Sequence, residues 1–199
     1  MAASATPVLA AAPAAPPARP RVLLVGTAML SAASFVSMMG LVAVYLARRA
    51  DTINNGQKWL PRATKLPLTQ PTMMLFTLGL SLITVIWAAN ALRRDDKQNA
   101  YVALGLTLLF AVAFVNQYTY FLAVTGLPVK TEPGMLILTI SAVHLVFTFI
   151  GIGFLVLIGL RTLFGQYRRV PEGITAAAMY WFSISAAYAV VWYAIFVTK

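Results

Sequence analysis

The chain contains no cysteine. Disulfides, thiolate metal sites, iron–sulfur clusters and cysteine nucleophiles are therefore excluded, whereas the redox compartment is left open. Histidine is almost absent too: His144 is the single imidazole, so no metal centre is expected in this chain alone. Acidic residues number five, Asp51, Asp95, Asp96, Glu132 and Glu172. All five are read as loop residues between apolar runs. No Lys or Arg falls inside those runs either, which argues against a proton relay or a charged-substrate pathway, since such pathways keep intramembrane charge. Charged residues make up 10% of the chain, against about 25% in an ordinary soluble domain.

What is present is apolar. The chain is 60% hydrophobic over 199 residues, with a mean hydropathy of +0.81, and apolar runs of about twenty residues alternate with short charged clusters. A hydrocarbon core of about 30 Å needs roughly 20 apolar residues in a helix. The expected fold is all-α: a polytopic membrane protein with five transmembrane helices in one bundle. The net charge of +10 would suit nucleic acid, but its carriers sit at the ends of apolar runs. There they meet lipid headgroups and set topology, so no nucleic-acid partner is expected.

Residues 1–20 are rich in Ala and Pro and read as a disordered tail outside the membrane domain of residues 21–199, because proline interrupts helix and the composition builds no core. The spans are placed at about Val22–Ala47, closed by Arg48 and Arg49, then Pro71–Leu92, Ala100–Val124, Met135–Leu160 and Ile174–Val197. Asn54-Asn55-Gly56 supplies turn chemistry in the first connection, with Trp59 as an interface aromatic. Arg93-Arg94-Asp95-Asp96-Lys97 is short enough to force an antiparallel hairpin. The stretch from Gly126-Leu127-Pro128 to Glu132-Pro133-Gly134 breaks the chain again.

Five spans put the termini on opposite sides. Arg19, Arg21, Arg93, Arg94, Lys97, Arg161, Arg168 and Arg169 fall on the N-terminal side. Arg48, Arg49, Lys58, Arg62, Lys65, Lys130 and Lys199 fall on the other. The basic residues of the tight loops 93–97 and 161–169 favour a cytoplasmic N-terminus.

Polar residues within the spans are mostly small: Ser31, Ser34 and Ser37, Ser81 and Thr84, Ser141 and Thr148, Ser183 and Ser185. Small residues allow close approach of helix backbones in membranes, and Ala33/Ser37, Ser183/Ala187 and Gly151/Gly159 are spaced for one helix face. His144 is expected to hydrogen-bond a neighbouring helix. Asn116 and Gln117 need partners at membrane depth. Trp192-Tyr193 fits an aromatic belt. Tyr180-Trp181 lies about 9 Å into its helix, deeper than a belt requires.

The order of these clusters resembles cytochrome c oxidase subunit III in its five-helix bacterial form. Gly40-Leu41-Val42-Ala43-Val44-Tyr45 before an arginine looks like the family's Ala-Gly-Leu-Phe-x-x-Tyr stretch. Gln117-Tyr118-Thr119-Tyr120 resembles Gln-x-Tyr-Glu-Tyr. His144, Phe147 and Gly151 stand where the family has two His and a Gly, and Arg161 closes that helix. Tyr180-Trp181-Phe182-Ser183-Ile184-Ser185 resembles Tyr-Trp-His-Phe-Val-Asp. The resemblance covers about residues 22–199. Ionisable family positions are neutral here, at Ser34, Thr119, Phe147, Phe182 and Ser185, which removes direct proton handling and leaves a scaffold.

The resemblance implies a non-catalytic subunit of a respiratory terminal oxidase in the bacterial plasma membrane, itself free of redox centres. Haem and copper would belong to the partner catalytic subunit, subunit I, and phospholipid would fill a cleft between helices. Ser34, Thr119, His144, Tyr180 and Trp181 are the candidate lipid or subunit contacts. The alternatives are a related subunit of a nitric oxide reductase and a small membrane transporter. The transporter class predicts broken helices or inverted repeats, and five spans do not halve. A lipid-modifying enzyme would need a His/Asp/Glu constellation that one histidine cannot make.

Overall fold

Hydrocarbon offers no partner to backbone N–H and C=O groups, so an apolar run must satisfy them within itself as a helix. The computed structural model describes residues 21–60, 66–165 and 172–198, and among them each apolar run is a helix. These are α1 (Val22–Asn54), α2 (Thr69–Arg93), α3 (Lys97–Thr125), α4 (Glu132–Leu163) and α5 (Glu172–Val191), the last continuing into a π-helical segment, Trp192–Val197. All five are long and apolar enough to cross a membrane, and no strand occurs among the described residues. The tail 1–20 with Arg19, then Arg62 and Lys65, Arg168 and Arg169, and Lys199 lie outside the described residues.

Two boundaries differ from the sequence expectation. α1 does not stop at Arg48-Arg49 but runs to Asn54, 33 residues in all. That is about 50 Å of helix against about 30 Å of hydrocarbon, so its last turns stand clear of the core and can carry charge. Asp51 is accordingly helical rather than in a loop. α4 begins at Glu132, so Glu132, Pro133 and Gly134 form its first turn instead of a preceding break. Proline is tolerated there because the first N–H groups of a helix have no intrahelical acceptor. Gly134 is required: a Cβ on it would lie 2.2 Å from the carbonyl oxygen of Pro128.

The connections follow local chemistry. α2 and α3 form the expected hairpin through Arg94, Asp95 and Asp96, with Asp95 at φ 56°, a left-handed conformation that Asp tolerates better than most residues. Asp96 caps α3, its side chain accepting from the Asn99 N–H at 3.1 Å. Gly126, at φ 55°, ends α3 in the left-handed conformation common after helices.

α5 is the central element. It packs against α1, α2 and α4, while α3 lies between α2 and α4, and α1 also touches α4. The inward face of α1 is Thr27, Ser31, Ser34, Met38, Val42 and Tyr45, close to the three- and four-residue alternation of a helix–helix seam. Ser31 and Ser34 therefore line the contact with α5, whereas Ala33 and Ser37 point outward. Gly159 meets nothing with its would-be Cβ, so of the α4 pair only Gly151 is a packing glycine.

On the far side of the bundle, Arg48 lies 3.5 Å from Glu132, an exposed pair that contributes little. Arg49 donates to the Thr198 hydroxyl at 2.7 Å and also to the Thr198 carbonyl. Trp59 is buried rather than at the lipid interface. Its indole donates to the Tyr45 hydroxyl at 3.1 Å, with the rings edge to face.

Candidate functional site

The five candidate positions divide into a cluster and an outlier. Ser34, His144, Tyr180 and Trp181 are 5%, 0%, 0% and 1% exposed, all gathered where α1, α2 and α4 meet α5. Thr119 is exposed on α3, and its hydroxyl turns back to the Val115 carbonyl of its own helix at 3.0 Å.

Trp181 reaches from α5 to α2, where its indole N–H donates to the Ser81 hydroxyl at 2.8 Å. Its ring lies against α4 at Gly151, where the absent side chain leaves room. Tyr180 donates to the Phe147 carbonyl at 3.3 Å and faces Ser34. Its ring packs edge to face on Phe154.

His144 faces α5 and α3. Nε2 is 3.2 Å from the Ile184 carbonyl oxygen, which requires the proton on Nε2. Nδ1 is then unprotonated and lies 3.4 Å from the Thr148 hydroxyl, whose single proton goes to the His144 carbonyl at 2.8 Å. Nε2 is thus engaged within the chain, and Nδ1 faces the Thr148 oxygen. The imidazole is enclosed by the rings of Phe114, Tyr118 and Tyr188, with centroids 5.4–5.9 Å away. No group of three or more metal-ligating side chains forms around it among the described residues.

Phe114 and Tyr188 were not singled out in the sequence. Their signal was spacing: Tyr188 is seven residues after Trp181 and so returns to the same helix face, as Phe114 does one turn before Tyr118. The Tyr118 hydroxyl makes no hydrogen bond of ordinary geometry, although Ser141 is near enough to interact with it. Tyr188 donates to the Pro71 carbonyl at 3.1 Å.

Of the two carboxamides, Gln117 finds a partner, accepting from the Thr77 hydroxyl at 3.2 Å. Farther along the same helix pair, Thr107 donates to Thr84 at 2.8 Å. Ser183 ties α5 to α1 through the Ser31 carbonyl at 3.0 Å. Hydrogen bonds across the bundle thus radiate from α5 to three helices, at about 0.6–2 kcal/mol each in membrane proteins.

A crevice between α1, α4 and α5 is lined by Ser34, Met38, His144, Phe147, Ser183 and Ile184, and it leaves no room for a water molecule. Between α2 and α3 lies a shallower pocket of about 130 Å³, lined by Gln70, Met73, Met74, Gln117 and Tyr120. Chemically, the clustered residues can hold helices in register. They present no nucleophile–base pair and no paired carboxylates.

These features define an α-helical, multi-pass membrane protein whose polar interior is given over to helix cohesion. No protein-family model matches the chain, and no match was found among curated proteins.

Proposed function

We propose that the chain is a non-catalytic subunit of a respiratory terminal oxidase of the cytochrome c oxidase subunit III type, in a bacterial plasma membrane with its N-terminus in the cytoplasm. The observation that carries this reading is the use made of the positions matching that family. Ser34, His144, Tyr180 and Trp181 hold α1, α2 and α4 to α5 and are enclosed by the chain's own helices. A protein whose central polar side chains are spent on holding its own helices together works by what it packs against. Haem and copper reside, on this reading, in the catalytic subunit, and phospholipid is a further partner, held in a cleft between helices.

The test is deletion of the gene followed by purification of the oxidase. The expected result is an oxidase that lacks this chain and loses activity faster during turnover. An oxidase of unchanged composition and lifetime would overturn the proposal. Co-migration of the chain with a nitric oxide reductase would favour the related complex instead, and migration as a free small protein would favour the transporter class.

A further inference from the structure

The outward face of α3 carries Val102, Gly105, Leu109, Val112, Asn116 and Thr119, and all six are exposed. Their spacing alternates three and four residues, the seam of two helices wound about each other. Any surface helix leaves such a stripe, so spacing alone decides nothing. Asn116 is what sets this one apart.

Counted from Ala100, the first apolar residue after the charged hairpin, the roughly 20 residues that cross the hydrocarbon end near Thr119. Asn116 therefore lies about 5 Å inside that boundary, at 1.5 Å per residue. Its carboxamide has no hydrogen-bond partner among the described residues. Thr119 donates to its backbone carbonyl and not to the carboxamide. By contrast Gln117, one residue on, is paired with Thr77. A bare carboxamide facing lipid is costly, and the chain itself supplies nothing to cover it.

The occupant can be read from chemistry and topology. A carboxamide carries both donors and an acceptor, so it is complementary to a second carboxamide. Two copies of one membrane protein insert with the same orientation, which makes their α3 helices parallel and puts Asn116 of each at the same depth. Gly105, whose would-be Cβ meets nothing within 4 Å, lets the two backbones approach on the same face.

We propose that two copies of this chain pair through α3 about a two-fold axis normal to the membrane, with their Asn116 carboxamides hydrogen-bonded to each other. A lone polar residue at one seam position is a known device for fixing register and stoichiometry. The pairing does not depend on the oxidase reading and stands or falls separately from it.

The absence of native cysteine makes the test direct. The full chain carrying V112C is oxidised in its native membranes, because facing seam positions of a parallel helix pair come within disulfide reach. The expected product is a disulfide-linked homodimer. The same treatment of F149C, an exposed position on α4, gives none. Adding N116L to V112C lowers the dimer yield by about tenfold, the loss of two reciprocal bonds, whereas N116Q restores most of it. Asn116 makes no side-chain hydrogen bond among the described residues that these changes would break. Equal cross-linking at positions 112 and 149, no dimer with V112C, a product joined to a different protein, or a yield indifferent to N116L would each overturn the proposal.

Discussion

Trp181 occupies the volume that a side chain at Gly151 would need. A Cβ built on Gly151 would meet Trp181 Cε3 at 2.9 Å and Ile184 Cδ1 at 2.8 Å. The Ile184 methyl can swing aside, but the indole is pinned at its other end by Ser81.

Gly151→Ala is therefore expected to destabilise the bundle by about 1–3 kcal/mol, the usual range for overpacking. Gly153→Ala, two residues on and open to its surroundings, is expected to be neutral or to stabilise by up to about 1 kcal/mol through helix propensity. Thermal unfolding of the two variants in the same detergent checks the contrast.

Ser81→Ala leaves the Trp181 N–H buried without an acceptor, at a cost of about 1–3 kcal/mol. Combining it with Trp181→Phe removes both partners. The double mutant should then be more stable than the sum of the single losses predicts, with a coupling of about 0.5–1.5 kcal/mol. Strict additivity would show that the bond contributes nothing.

His144→Ala opens a cavity amid Phe114, Tyr118 and Tyr188 and should cost about 2–5 kcal/mol. His144→Phe keeps a ring in the same enclosure and forfeits the hydrogen bond to Ile184, so a smaller loss of about 1 kcal/mol is expected. If His144 served chemistry rather than packing, both variants would abolish function alike. Thermal unfolding of each variant in detergent measures the packing cost, and on the proposed oxidase reading the lifetime of the complex with each variant separates the two cases.

Asp96 supplies a pH dependence. The Asn99 side-chain amide, 2.6 Å from its carboxylate, and the Asn99 backbone N–H hold its pKa below the usual carboxylate range. A carboxyl whose folded pKa lies below its unfolded value contributes stability above the unfolded value, about 3.9. That contribution fades as pH falls through the lower, folded value. Asp96→Asn keeps an accepting oxygen at the cap. It should leave neutral-pH stability nearly unchanged while flattening the acid limb of a stability–pH curve below about pH 4.

How much of this was readable from residues alone depends on which force decides each feature. The five spans follow from solvent, since twenty apolar residues in lipid have one backbone solution, and all five were legible. The end of α1 was not. Arg48-Arg49 marks where hydrocarbon stops, and a helix has no reason to unwind there if its next residues are satisfied in water. Serine spacing suggested Ala33/Ser37 as the packing face, but facing is set by rotation about the helix axis. The serines that α5 meets, Ser31 and Ser34, lie about 100° away. The gathering of Ser34, His144, Tyr180 and Trp181 needed tertiary structure, because it depends on α5 sitting between α1, α2 and α4. Trp59 looked like a belt residue by composition and depth, and only the Tyr45 hydroxyl reveals why it turns inward.

The most enclosed helix is also the fifth to be made. α1 has its main neighbours in α4 and α5, so on a ribosome adding about 5–20 residues per second it waits on the order of ten seconds before they arrive. During that interval Ser31, Ser34 and Ser81 have no helix to meet. A nascent chain interrupted before α5 would expose those hydroxyls to lipid and to the surveillance machinery that inspects orphan membrane segments. Arrival of α5 hides them all in one step, so synthesis of α5 and concealment from degradation become the same event.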